Sequence, residues 1–253
     1  MQGLRVLALA VIVGSVLCGC SKDKTGTGTA ETKQAEQTVK ESEMGTELQW
    51  LGHASFRIAH DETVIYIDPW KLKNEPNDAT IVLVSHSHYD HYSPDDIAKV
   101  SGPDTKLVAS ADVIAKENAG EPIMPGLTVE LGGVRIIAVP AYNPDKQFHP
   151  RANNWVGFVI EIGSKRIYYA GDTDITEEMK ALKDIDVALL PVGGTYTMDA
   201  AEAAQAANHI KCGRAIPYHW GDIVGEAGDA KKFAKLAECG TTVLMPGQTA
   251  NID

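Results

Sequence analysis

The stretch Ser85-His86-Ser87-His88-Tyr89-Asp90-His91 packs three imidazoles and a carboxylate into the six positions from His86 to His91, and nothing else in the chain restricts its fold and chemistry as much. With only eight histidines in 253 residues, a polar turn that is His-rich by chance is a poor account of it. The cluster follows Ile81-Val82-Leu83-Val84, a β-branched apolar run that reads as a buried strand, so it lies on the loop past a strand's end. Loops held there by a rigid scaffold can carry chemistry. In extended chain His86 and His88 point the same way, whereas Asp90 and His91 fall after a bend and can face a second position. One segment thus begins two metal positions. Imidazole and carboxylate donors suit zinc, manganese or iron, and no cysteine lies near to favour a softer ion.

The His-x-His-x-Asp-His pattern after an apolar strand resembles the signature of the metallo-β-lactamase fold hydrolases. Trp50-Leu51-Gly52-His53-Ala54 and Asp68-Pro69-Trp70 resemble one branch of them, which holds uncharacterised metal-dependent hydrolases with the N-acylphosphatidylethanolamine phospholipase D and ascorbate-phosphate lactonase types. The resemblance runs from about Leu48 to the C-terminus and implies an α/β fold, the αββα sandwich of two mixed sheets flanked by helices.

The resemblance also implies a ligand set. His149, in the irregular stretch Gln147-Phe148-His149-Pro150, joins Asp172 and His219, each at the end of a strand pattern. His86, His88 and His149 would hold one metal, Asp90, His91 and His219 the other, with Asp172 as the bridge. Asp68 would support the metal loop from behind, and His53 would serve the pocket as a catalytic donor or substrate contact. Gly193-Gly194-Thr195-Tyr196-Thr197 resembles a pocket loop, which makes Tyr196 and Thr197 candidate substrate contacts. The Gly-His-Thr-x-Gly surroundings of many lactamase and glyoxalase relatives are absent at His149, which argues against a β-lactamase. His60, in a hairpin turn, and His209, near a helix end, read as structural or solvated.

Residues 1–20 read as a lipoprotein signal peptide: Arg5, an apolar run from Val6 to Leu17, then Leu17-Cys18-Gly19-Cys20. Twelve apolar residues are too few for an ordinary membrane span, and the expectation is that Cys20 becomes the acylated first residue. Ser21 after it suits the outer membrane of a Gram-negative envelope. Residues 21–45, rich in Thr, Gly, Lys, Glu and Gln, hold too little apolar surface to offset their ordering entropy and read as a flexible tether. Residues 46–253 suffice for one metallo-hydrolase domain.

Within that domain, strands are expected at Leu48–Leu51, Ser55–Ala59, Val64–Ile67, Ile81–Val84, Leu127–Leu131, Val134–Val139, Val156–Ile162, Arg166–Ala170, Val187–Pro191, Ala215–Tyr218 and Thr242–Met245. Helices are expected from Ser93-Pro94, over Ala111–Asn118, Thr176–Leu182, Asp199–His209 and Asp229–Glu238. Cys212 and Cys239 each lie three residues before an expected strand, which leaves both a disulfide and two separate thiols open.

With 34 Asp and Glu against 23 Lys and Arg, the chain is acidic, which excludes an electrostatic grip on nucleic acid. Two divalent ions would lower the pKa of a water and polarise a carbonyl or phosphoryl oxygen, with Asp90 able to receive the proton. Only Asp90 and Asp172 are ionised in the ligand set, so the site is net positive and suits anionic substrates such as phosphodiesters. A lactone or other carbonyl substrate, and a non-catalytic metal-binding lipoprotein, are the competing readings.

Overall fold

The computed structural model describes residues 45–253; the expected signal peptide, Cys20 and nearly all of the expected tether lie outside the described residues. Four strands open the domain: β1 (Glu47–Gly52), β2 (Ser55–His60), β3 (Thr63–Ile67) and β4 (Ala79–Val84). Then come α1 (Pro94–Val100), β5 (Ser101–Ala109), α2 (Ala111–Glu117), β6 (Glu121–Pro122), β7 (Thr128–Leu131), β8 (Val134–Pro140), β9 (Val156–Ile162) and β10 (Lys165–Tyr169). The remainder is α3 (Glu177–Lys180), β11 (Val187–Pro191), α4 (Ala200–Ile210), β12 (Arg214–Tyr218), α5 (Ala227–Leu236), β13 (Gly240–Thr241) and β14 (Thr249–Asn251).

The strands form two seven-stranded mixed sheets, ordered β14-β1-β2-β3-β4-β5-β6 and β13-β12-β11-β10-β9-β8-β7. Each sheet begins as an antiparallel meander, β1-β2-β3 or β7-β8-β9-β10, and continues with parallel strands. The alternation of directions decides where the site is built. β1, β3 and β4 run the same way in the first sheet, and β8, β10, β11 and β12 run the same way in the second, so their C-terminal ends share one edge of each sheet. Ligands in open α/β sheets bind outside the carboxyl ends of strands, and here every candidate site residue follows such an end.

The inner faces of the sheets meet in one large apolar core. Phe56 of the first sheet lies edge-on to Tyr218 of the second, with ring centroids 5.5 Å apart, and Trp50 contacts Trp220 at 4.8 Å. A second cluster, with Tyr66, Val82, Val84, Ile97, Val100 and Val113, covers the outer face of the first sheet with α1 and α2. Local signals set the helix starts. Ser93 caps α1 by accepting from the Asp96 amide, with Pro94 in the first turn. Asp199 and Glu202 form a reciprocal capping box at the start of α4. The buried face of α4 is Ala203, Ala204, Ala206, Ala207 and Ile210, small side chains that let the helix sit close to the sheet.

Several strands depart from the sequence reading, the two-residue β6 among them. The expected strand Thr242–Met245 is not formed: pairing to β12 covers Gly240 and Thr241, one further bond runs from the Thr242 amide to the Ala215 carbonyl, and the chain then leaves the sheet before Pro246. β5 was not among the expected strands, and it opens on Ser101-Gly102-Pro103-Asp104, residues poorly suited to a strand. Its register against β4 shifts between Ala79 and Ile81, so the unfavourable first half is accommodated as an irregularity. β14 is short and polar, and it exists only because the C-terminus returns to pair with β1, Glu47 opposite Asn251.

Candidate metal centre

The first group of side chains converges from two loops. His86 Nε2 lies 3.1 Å from His88 Nδ1, and His149 Nε2 lies 3.1 Å from the same atom. The second group is Asp90, His91 and His219, with both ring Nε2 atoms 3.8 Å from Asp90 Oδ2. Asp172, buried, stands between them. Its Oδ1 is 3.2 Å from His91 Nε2 and 3.3 Å from His219 Nε2, and its Oδ2 is 3.2 Å from His149 Nε2. One carboxylate therefore turns an oxygen to each group.

These separations test whether a metal fits. Ligands about 2.0–2.1 Å from one tetrahedral ion lie roughly 3.3 Å from each other, close to the spacings observed. Moreover, His91 Nε2, His219 Nε2 and Asp172 Oδ1 are buried without a hydrogen-bond partner among the described residues. Stranding such atoms costs stability unless a cation takes their lone pairs. The donor set is imidazole and carboxylate only, which suits a borderline divalent ion.

The outward ring nitrogens are held by a second layer of bonds that fixes the tautomers. Asp68 is fully buried at the end of β3. Its Oδ1 accepts from the Ser85 amide at 2.7 Å, and its Oδ2 accepts from Ser85 Oγ at 2.6 Å, Tyr169 OH at 2.6 Å and His91 Nδ1 at 2.7 Å. Because the Ser85 hydroxyl donates to Asp68, it accepts from His86 Nδ1 at 2.9 Å. His149 Nδ1 donates to the Tyr196 carbonyl at 3.1 Å. His86, His91 and His149 thus carry their protons on Nδ1 and present Nε2 to the centre.

Electrostatics follow the geometry. Burial pushes His86 far down from the ordinary histidine value, and His88 down as well, so both rings are neutral donors. Burial opposes protonation of His91 too, but Asp172 and Asp68 outweigh it and hold its proton strongly without metal. Burial acts to raise Asp172, and the His219 and His91 rings reverse that and keep it well below the usual carboxylate range. Asp90 is likewise held down at about 2: burial opposes ionisation, and the His53 hydrogen bond and His91 overcome it.

His53 joins the second group rather than standing apart. Its Nε2 donates to Asp90 Oδ2 at 2.9 Å, and its ring lies 4.1 Å from that of His219. Four residues of the centre, His53, Asp68, His149 and His219, have left-handed backbones with φ of 47°, 43°, 58° and 61°. Strained conformations of this kind persist where the surrounding structure over-determines them, commonly at functional sites.

A cleft of about 210 Å³ opens over the centre. His88, Asp90, His149, Asp172 and His219 form its floor, and Tyr89, Phe148, Tyr196 and Ile223 its walls. Among the described residues, no lysine or arginine lines it. Thr197 is corrected: its side chain is fully buried and its hydroxyl turns to the Met198 carbonyl, so it does not reach the cleft. His60 bonds Thr46 Oγ1 away from the centre.

Several residues here carried no signal in the sequence. Trp155 packs its ring 4.7 Å from His86 and 4.6 Å from His88. Asn143 Nδ2 donates to the Tyr196 and Phe148 carbonyls and so ties the His149 loop to the loop after β11. Ser85, adjacent to the cluster, could have been read as a relay to a buried acid; Tyr169 and Asn143 could not.

Similarity to known proteins agrees with this architecture. A model of the beta-lactamase superfamily domain matches residues 47–219. The chain belongs to the metallo-β-lactamase superfamily. Within it, a UPF0173 metal-dependent hydrolase of Thermoplasma volcanium is 37% identical over 217 residues, covering 80% of this chain and 96% of the relative. Another, of Thermococcus onnurineus, is 33% identical over 226 residues, covering 79% of this chain and 97% of that one. Among solved structures, the metallo hydrolase Igni18 of Ignicoccus hospitalis superposes with a TM-score of 0.67 at 25% identity, covering 82% of this chain and 98% of its own. Given these relatives and the cluster above, this superfamily member is a metal-dependent hydrolase of the UPF0173 family.

Proposed function

We propose that this superfamily member holds two divalent ions, zinc before manganese or iron, and hydrolyses a singly charged phosphodiester. The observation that carries the reading is Asp172, whose Oδ1 faces the Nε2 atoms of His91 and His219, both unpartnered among the described residues, and whose Oδ2 faces His149 Nε2 of the other group. His86, His88 and His149 would hold one ion, and Asp90, His91 and His219 the other. Bound there, the ions supply a water of lowered pKa and an electrophile for the substrate oxygen.

The chain's own groups do the rest. Asp90, ionised and oriented by the bond from His53, is the acceptor for the proton of the attacking water. Tyr89, Phe148, Tyr196 and Ile223 exclude water from the cleft and offer an apolar surface to one substituent of the substrate. Phe148 and Tyr196, edge to face at 4.8 Å, make a wall suited to an alkyl or aryl group. A phosphomonoester dianion would call for a cationic side chain in the cleft lining, and none is there among the described residues.

The lack of a cation among the described lining residues also favours one alternative, a lactone or other carbonyl ester, the substrate class of the lactonase type. The domain would work at an envelope membrane, tethered through an acylated Cys20, which makes an amphiphilic substrate plausible on location. Assay of metal-loaded protein against bis-p-nitrophenyl phosphate, p-nitrophenyl phosphate and a panel of lactones tests the proposal. Turnover of the diester above the monoester and the lactones is expected; lactone turnover without diester turnover would overturn the phosphodiester reading.

A further inference from the structure

The metal centre uses no sulfur, yet the end of the second sheet away from it brings two thiols together. Cys212 follows α4 and Cys239 follows α5, and each leads directly into a strand of the parallel pair β12 and β13. The register places Arg214 opposite Gly240 and Ala215 opposite Thr241, so the backbone just after each cysteine is fixed. Before them, the Glu238 amide donates to Asn208 Oδ1 at 2.9 Å, tying the last turn of α4 to the segment that carries Cys239. Between these restraints the two Sγ atoms lie 3.2 Å apart, both as free thiols. Cys212 is buried and Cys239 is partly open to solvent.

We propose that Cys212 and Cys239 are a disulfide-forming pair, oxidised by thiol–disulfide exchange with a small-molecule disulfide that attaches first at Cys239. The Cys239 thiolate attacks one sulfur of the incoming disulfide, whose S–S bond breaks and releases one thiolate. Cys212 then gives up its proton and attacks the Cys239 sulfur, expelling the second thiolate, which takes up a proton. Two protein thiols are oxidised to one disulfide while one external disulfide is reduced to two thiols.

The order follows from access and acidity. The partly open Cys239 is the one a solute reaches. The contact with Cys212 lowers the Cys239 thiol to about 7, giving thiolate at neutral pH, while the same contact and then burial push Cys212 up. Closing the S–S bond to roughly 2.05 Å requires the sulfurs to move about 1 Å closer. The bridge would close a loop that contains β12, the candidate ligand His219 and the cleft residue Ile223.

The test uses the full-length protein, reduced, desalted, exposed to oxidised glutathione, alkylated and digested with trypsin without reductant. Cleavage after Lys211, Arg214 and Lys235 leaves Cys212 and Cys239 on separate peptides, distinct from those of Cys18 and Cys20. A linked pair, 212–214 with 236–253, is expected, and it separates on adding dithiothreitol. C212S is expected to accumulate glutathione on the Cys239 peptide, whereas C239S is expected to leave Cys212 unmodified in the native protein. Recovery of both wild-type peptides alkylated separately after oxidation would overturn the proposal. Glutathione on Cys212 in C239S would overturn the order of attack.

Discussion

Asp68→Asn isolates what the buried acid behind the metal loop contributes, because it keeps the side-chain shape and removes the charge and one acceptor. Asp68 Oδ2 accepts three bonds and Oδ1 one. The amide places its oxygen where the three donors converge, so its NH2 is forced against the Ser85 amide, donor to donor. Three charge-assisted bonds each weaken by about 1 kcal/mol, and the stranded Ser85 N–H adds about 1–3 kcal/mol. The bonds share one acceptor and are not independent, so the low end of that sum, about 4 kcal/mol, is expected. In a domain of this size the melting midpoint of the metal-free protein falls by about 8–16 °C.

Metal binding suffers separately. With a neutral acceptor at Nδ1 the His91 ring is a weaker donor and less firmly held in its tautomer, which costs about 10–100-fold in affinity. Calorimetric melting of the metal-free protein and competition of the loaded protein against a chelator read the two effects. An unchanged midpoint together with unchanged affinity would refute the relay from Asp68 through Ser85 to the imidazoles.

Asp172→Ala is expected to lower metal content at both positions and abolish hydrolysis, whereas His88→Ala should weaken one position; equal metal content in Asp172→Ala, by elemental analysis, removes the bridge. Gly193→Ala would drive a Cβ into the His219 carbonyl, so the ligand shifts and turnover falls by about 100-fold, read as kcat with circular dichroism unchanged. His91 is raised in the metal-free protein, so its contribution to that state's stability is full below the unfolded value near ~6.5 and is lost as pH rises through the folded value. Metal must displace that proton, so affinity should rise with pH over the same range with proton release, measured by calorimetry in buffers of different ionisation enthalpy; pH-independent affinity would contradict it. Full-length protein should partition with membranes, and Cys20→Ala should release it or block its processing, visible by fractionation and mass; a soluble wild type with unmodified Cys20 removes the anchor.

The sequence by itself determined the parts that depend on local order. His86 to His91 lie on one loop after one strand, so their spacing along the chain is also their spacing in space. Helix caps at Ser93 and Asp199 and the hairpin at Gly163-Ser164 are likewise set by neighbours within a few residues. The tertiary structure decided what depends on distant pairing. β14 is a strand only because β1 offers it an edge, and Thr242–Met245 fails to be one although its residues suit a strand. Thr197 and Tyr196 are adjacent in sequence, yet the turn after β11 buries one and turns the other to the cleft. Asp68 and Tyr169 are 101 residues apart and meet only where the two sheets close on each other. The bonds that fix the imidazole tautomers of His91 and His149 join each ring to an oxygen on another loop, Asp68 and Tyr196, and no periodicity along the chain records which buried oxygen a ring nitrogen will find.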